Sequence, residues 1–206
     1  MPSAKKSKKT NPASRLVHME GVARGVLASA QPSRLPHRVL GIDLALRNTG
    51  LVVLTEEGHI LRRKTLVFHL RRRTDIDAPI DEADHIERLL NIANEVVGMA
   101  KVFQVKAIGV EGFAFDAKFQ AHQIGQAAGV VKTQLWLACR VVTKEVQMST
   151  ARKHFFGYGR PKKEDIVEVC KRLDLNVETD HEADAYVVAR YLYDCLVKER
   201  NDGATS

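Results

Sequence analysis

Three carboxylates and one imidazole stand out because each borders or interrupts an apolar segment. Asp43 follows Val39-Leu40-Gly41-Ile42 and precedes the run Leu51-Val52-Val53-Leu54, with Asn48-Thr49-Gly50 between. Apolar runs broken by such turn chemistry read as a hairpin, which leaves Asp43 in a strand that otherwise wants to be buried. A buried carboxylate is costly unless it is paired, hydrogen-bonded or holds a cation. Asp43 therefore either accepts from the turn, through Thr49 or a backbone N–H, or belongs to a metal site. Glu111 closes a second short apolar strand, and His181 and Asp184 open the last helix at i, i+3, on one face. Like charges brought together raise one another's pKa unless cations neutralise them. The use for such a cluster is a pair of hard cations about 4 Å apart, one activating water and one stabilising the leaving oxygen of a phosphodiester. Oxygen donors favour Mg²⁺ or Mn²⁺ over zinc. Taken singly, Glu111 also reads as a strand-end surface residue, and Asp180 and Asp184 as charges complementing a helix dipole.

The elements that must position these groups follow from periodicity. Residues 39–45, 50–55 and 59–69 read as three strands in a meander. Residues 81–103 read as a helix, with Ile86, Leu89, Leu90, Ala93, Val96, Val97 and Ala100 at three- and four-residue spacing. A strand at 105–111, a helix over 118–139, a strand at 141–146 and helical segments near 149–155 and 162–173 come next. The last helix runs from Asp180 to about Val197. Three antiparallel strands followed by βα alternation predict an α/β fold, a mixed five-stranded sheet with helices on both faces. Ligands in such sheets sit beyond the carboxyl ends of parallel strands, where Asp43 and Glu111 both fall. Ala183 and Ala185 let the turn bearing His181 and Asp184 approach the sheet.

Charge is unevenly spread. The chain has 206 residues and a net charge of +7, with 45% hydrophobic content. Through residue 38 it carries Lys5, Lys6, Lys8, Lys9, Arg15, Arg24, Arg34 and Arg38 against the single acid Glu20, so the remainder is balanced. With Pro2, Pro12, Pro32 and Pro36 among Ser and Gly, residues 1–37 read as a flexible basic extension. It either adds non-specific affinity for nucleic acid or serves as a solubilising or targeting tail, and organelle targeting stays open. Residues 38–198 read as the folded domain and 199–206 as a disordered tail. Arg152, Lys153, Arg160, Lys162 and Lys163 cluster around Gly157-Tyr158-Gly159, a pattern fitting either a nucleic-acid groove or an ordinary solvated face. Cys139, Cys170 and Cys195 are odd in number and lie far apart, which fits packing residues in a reduced, cytoplasmic compartment. No apolar run reaches the ~18–20 residues that span a bilayer, so no membrane role is expected.

In order and spacing these motifs resemble the RuvC-type Holliday junction resolvases of the RNase H-like superfamily, including viral RuvC-like members. Gly41-Ile42-Asp43 with Gly50 is similar to the family's first motif, and Val110-Glu111-Gly112-Phe113 to its second. Gly157-Tyr158-Gly159 with Lys163 is similar to its DNA-contacting loop, and His181-Glu182-Ala183-Asp184-Ala185 to its terminal acidic motif. The resemblance covers about residues 38–195. It implies an RNase H-like fold and a homodimer that cuts symmetry-related strands of a four-way DNA junction during recombination and repair, leaving 5′-phosphate and 3′-hydroxyl ends. It makes Asp43, Glu111, His181 and Asp184 the catalytic residues and ligands of two Mg²⁺, with Mn²⁺ as a substitute. Lys163, with Arg152 or Lys153, would hold backbone phosphate.

Two departures stand out. His181 takes a place where the family commonly has a carboxylate. An imidazole there binds metal, shuttles a proton near pH 7 or caps the helix, and the sequence leaves all three open. Ala114 stands where the family has a stacking aromatic, with Phe113, Phe115 and Phe119 around it as stacking or core residues. Strictness for four-way junctions is therefore open. A broader branched-DNA or RNA–DNA hybrid nuclease and a non-cleaving structure-selective DNA-binding protein are the competing readings, and a helicase partner cannot be read.

Overall fold

The computed structural model describes residues 11–29, 34–68, 82–112 and 121–203. In chain order the elements are α1 (Pro12–Ser29), β1 (Val39–Asp43), β2 (Asn48–Leu54), β3 (Ile60–Val67), α2 (Glu82–Val102), β4 (Ala107–Glu111), α3 (Ala121–Cys139), β5 (Thr143–Val146), α4 (Met148–Phe156), α5 (Lys163–Arg172) and α6 (Asp180–Gly203). The strands form one five-stranded sheet in the order β3-β2-β1-β4-β5. β1–β2 and β2–β3 are antiparallel, and β1–β4 and β4–β5 are parallel. This is the mixed sheet predicted from the meander followed by βα units.

Side-chain alternation divides the strands between two cores. Leu40, Ile42, Leu51, Val53, Ile108 and Val110 join α2 and α3 in one core. Val39, Val52 and Leu54 face the other way, into a core built with α1, α4, α5 and α6. Gly41 and Asp43 share the parity of Val39, so both face α6. A Cβ on Gly41 would lie 2.1 Å from the Ala185 carbonyl oxygen, and one on Gly50 would lie 2.0 Å from that of His181. The bare backbone at these two positions lets the first turns of α6 lie on the sheet. The small residues that the contact requires are on the strands as well as at Ala183 and Ala185.

Two boundaries differ from the sequence expectation. The extension read as flexible through residue 37 contains α1, with Met19 and Ala23 wholly buried. Pro12 suits the start of a helix because its missing N–H would lack an intrahelical partner there anyway, and Asn11 Oδ1 accepts from Ala13 N at 3.1 Å. Leu16, Met19, Ala23, Val26 and Leu27 form the apolar stripe that faces the core. Its charges are matched: Arg15 pairs with Asp165, and Glu20 pairs with Arg24 and Arg172. At the other end α6 continues to Gly203, so residues 199–203 are helical rather than tail. Among the described residues no helix is long and apolar enough to cross a membrane.

Candidate active site

Asp43 ends β1 and Glu111 ends β4, side by side at the carboxyl edge of the parallel pair. The first turn of α6 lies over that edge. His181 Nδ1 stands 2.7 Å from Asp43 Oδ2, so the partner of Asp43 is the imidazole and not the turn. Thr49 serves the turn separately, donating to the Ala45 carbonyl at 2.6 Å and accepting from Ala45 N at 3.3 Å. The α6 cap also falls to another residue, since Thr179 Oγ1 accepts from Glu182 N at 3.1 Å.

The electrostatics follow from this crowding. Glu111 is pushed up to about 9, first by burial, then by a carboxyl–carboxylate hydrogen bond with Asp43 and by the charges of Asp43 and Asp184. Asp184, 5% exposed, is raised by burial, against the pull of Arg152. Arg152, on α4, holds it at two points, Nε to Oδ1 at 3.1 Å and Nη2 to Oδ2 at 2.6 Å. His181 is raised by its hydrogen bond to Asp43. Lys163 Nζ reaches Asp180 Oδ2 at 2.6 Å. Burial alone would raise Asp180, but that ammonium and the neighbouring His181 bring it below the ordinary carboxylate value. The three carboxylates thus share their edge with one guanidinium, one ammonium and one imidazole.

The other basic residues lie around the α4–α5 connection. Lys153 is exposed on α4, Arg160 is exposed in the connection, and Lys162 is the exposed residue before α5. Gly157 ends α4 at φ 77°, a conformation glycine adopts without steric cost. His18 and Val22 of α1 lie against it, and the His18 ring meets Tyr158 edge-on at 5.2 Å. The basic connection is therefore backed by α1. Phe113, Phe115 and Phe119 lie outside the described residues.

A profile of the family described as "Crossover junction endodeoxyribonuclease RuvC" matches residues 39–190. That span runs from the start of β1 through the helix bearing His181 and Asp184. The chain belongs to the RuvC family. RuvC from a Synechococcus strain is 28% identical over 74% of this chain and 95% of its own length. RuvC from Rickettsia prowazekii is 29% identical over 79% of this chain and 98% of its own. Thermus thermophilus RuvC has the same fold at a TM-score of 0.59 and 23% identity, over 77% of this chain and 96% of that one. The same protein has been solved in complex with a Holliday junction substrate, at a TM-score of 0.58 and 22% identity, over 78% of this chain and 96% of that one. The yeast mitochondrial Holliday junction resolvase matches over 92% of this chain and 96% of its own at a TM-score of 0.56 and 12% identity. The RuvC match begins at Val39, so α1 lies outside the family span.

Two features of this RuvC-family site escape sequence reasoning. The Arg152–Asp184 pair is hidden because Arg152 reads only as a phosphate contact. Glu182, buried between the two α6 site residues, is hidden because it reads as an ordinary helix-start acid. Its spacing from Thr179, a Thr-x-x-Glu capping pattern, is the available signal.

Proposed function

We propose that this chain is a divalent-cation-dependent endodeoxyribonuclease that resolves four-way DNA junctions. The observation that carries the reading is the meeting of Asp43, Glu111, His181 and Asp184, from two parallel strand ends and one helix start, at a single sheet edge. Family membership supplies the reaction class.

The donor set fits hard cations. Three carboxylates and an imidazole suit Mg²⁺ or Mn²⁺, and the proton that Glu111 retains beside Asp43 marks a place where positive charge is wanted. Among the described residues no three acids, histidines or cysteines already stand where they would hold one ion. Asp184 is engaged by Arg152, and Asp43 by His181 and Glu111. Two Mg²⁺ bound by Asp43, Glu111, His181 and Asp184 would supply Lewis-acid activation of water and of the scissile phosphate. The protein's own part is to release the Glu111 proton, to hold Asp43 through His181, and to free Arg152 from Asp184 toward a backbone phosphate. Lys163, Lys162, Arg160 and Lys153 extend positive charge from the site along the α4–α5 connection.

A homodimer supplies the two cuts a four-way junction needs. Gly129 is exposed on α3, and a Cβ on Gly125 or Gly129 would meet no described atom within 4 Å. Packing within the described chain therefore does not account for this small-residue face, and a second subunit would.

The test is cleavage of a synthetic immobile four-way junction, a Y-fork, linear duplex and an RNA–DNA hybrid, in Mg²⁺ and in EDTA. Paired symmetric nicks in the junction alone, in Mg²⁺ alone, are expected. Equal cutting of forks or hybrids would replace the junction reading with the broader nuclease. Tight junction binding without cleavage would leave only a binding protein.

A further inference from the structure

The first turn of α6 has a second face. Between His181 and Asp184 sits Glu182, 4% exposed and aimed away from the acid cluster, toward β3. A buried carboxylate needs compensation, and this one has three partners. Glu182 Oε2 accepts from Arg63 Nη1 at 2.9 Å and from the backbone N–H of Glu178 at 2.8 Å. Glu182 Oε1 accepts from Thr65 Oγ1 at 3.3 Å. The Arg63 guanidinium spreads further, donating to Asn176 Oδ1 at 3.1 Å and to Glu178 Oε1. Arg63 thus ties the segment leading into α6 and the first turn itself to one strand. Thr65 and Thr179 share a hydroxyl hydrogen bond at 2.8 Å beside it.

Strand register places this arrangement relative to the site. Asp43, Gly50 and Thr65 are cross-strand partners on β1, β2 and β3. Along this one line Asp43 holds the His181 ring, Gly50 leaves room for the His181 carbonyl, and Thr65 meets Thr179 and Glu182. The α6 turn is therefore attached at both ends of a three-strand row. At the Asp43 end the turn meets the sheet and α4 through two side chains, His181 on Asp43 and Asp184 on Arg152. At the β3 end a fork-shaped cation holds the same turn down, and a guanidinium fixes orientation as well as charge.

We infer that Arg63 and Glu182 are positioning residues for the metal site. They set the rotation and height of the first turn of α6, so that His181 and Asp184 meet Asp43 and Glu111 at the geometry a cation needs. They touch neither DNA nor the ion. The inference rests on the proposed metal site, and it assigns a function to a buried ion pair that the chemistry itself leaves unused.

Mn²⁺ binding to the DNA-free full-length chain, followed by electron paramagnetic resonance, tests this together with the Mg²⁺ dependence of junction cleavage. The variants are Glu182→Gln, which keeps an acceptor for Glu178 N, Arg63→Lys, which keeps the charge but not the fork, and Arg63→Met/Glu182→Gln, which removes both charges. Each variant is checked for native circular dichroism, and the double variant guards against an unfolded single. Metal affinity should fall by about 10-fold or more, with the Mg²⁺ midpoint for cleavage shifted by a similar factor. Junction binding in EDTA and the rate at saturating Mg²⁺ should stay close to wild type. The double variant should match the single variants rather than add them. Unchanged Mn²⁺ affinity in folded variants overturns the inference, as does a lower saturated rate at an unshifted midpoint. Failure of the wild-type chain to bind Mn²⁺ would instead sink the metal-site reading beneath it.

Discussion

Arg152 on α4 grips Asp184 on α6 at two points, Nε–Oδ1 3.1 Å and Nη2–Oδ2 2.6 Å, with Asp184 buried and Arg152 half-buried. A cation held by Asp184, as proposed, would compete with this pair. Arg152→Ala leaves a buried carboxylate without its partner, and removing one member of such a pair costs about 3–5 kcal/mol. Urea unfolding in EDTA should show a loss of that order. Saturating Mg²⁺ should restore much of it, because the ion replaces the missing charge. Equal destabilisation with and without Mg²⁺ would mean that Asp184 is not a ligand.

The metal-free protein should lose stability as pH rises. Glu111 titrates at about 9 in the fold against an ordinary value of 4.5. Between those values the native state keeps a proton that the unfolded chain releases, so stability falls with pH across that window. His181 works in the same direction. Its imidazolium form is favoured by Asp43, so its contribution is complete below the ordinary value of 6.5 and is lost as pH climbs through the raised value. Urea midpoints in EDTA from pH 5 to 9 should decline, and Glu111→Gln should flatten the decline. Metal binding at pH 7 should also release a proton, read as a calorimetric enthalpy that varies with the buffer's ionisation enthalpy. A buffer-independent enthalpy would contradict this.

Gly50→Ala should disable the site without touching an acid. Its Cβ would lie 2.0 Å from the His181 carbonyl oxygen, forcing the first turn of α6 off the sheet. Overpacking of this kind costs about 1–3 kcal/mol, and junction cleavage should fall further than stability does. Gly21→Ala, on the exposed face of α1 with nothing within 4 Å, is the matched control. It should stabilise by roughly 0.5–1 kcal/mol and leave cleavage unchanged. Wild-type cleavage by Gly50→Ala would show that close seating of α6 is dispensable.

The N-terminal segment should divide in two. Removing residues 1–10 takes Lys5, Lys6, Lys8 and Lys9 but none of the buried residues of α1. Junction affinity should become less salt-sensitive, by a slope of about 0.9 for each phosphate that these lysines neutralise in the intact chain, with the cleavage pattern kept. Removing residues 1–35 strips Met19 and Ala23 from the core and Arg15 from Asp165, and should lower the melting temperature sharply. Equal thermal stability of the two truncations would contradict the packing of α1.

The sheet and the site are legible in the sequence to different depths. The short continuous apolar runs of β1 and β2, bounded by turn residues, and the three–four spacing in α2 report strands buried on both faces and a helix buried on one, so the elements and the mixed sheet can be read. Asp43 and Glu111 can be placed together because each ends an apolar strand, and His181 and Asp184 because they open the last helix on one face. The partner of each cannot. Asp43 has a local candidate in Thr49, and only the fold shows that Thr49 bonds Ala45 while His181 lies 138 residues away. Residues 12–29 mislead because proline, glycine and basic residues suggest disorder. The burial of Met19 depends on α4 and α5, which local composition does not reveal. The Arg63–Glu182 pair spans 119 residues and has no local signature beyond the capping pattern.

In the proposed reaction Asp43 would hold metal for junction hydrolysis. The most direct measurement is cleavage and binding of an immobile four-way junction by Asp43→Asn in Mg²⁺, beside the wild-type chain. The substitution keeps size and hydrogen-bonding capacity but removes the charge at the carboxyl end of β1. Cleavage should disappear while junction binding persists. Robust paired nicking by Asp43→Asn would show that Asp43 does not hold the metal.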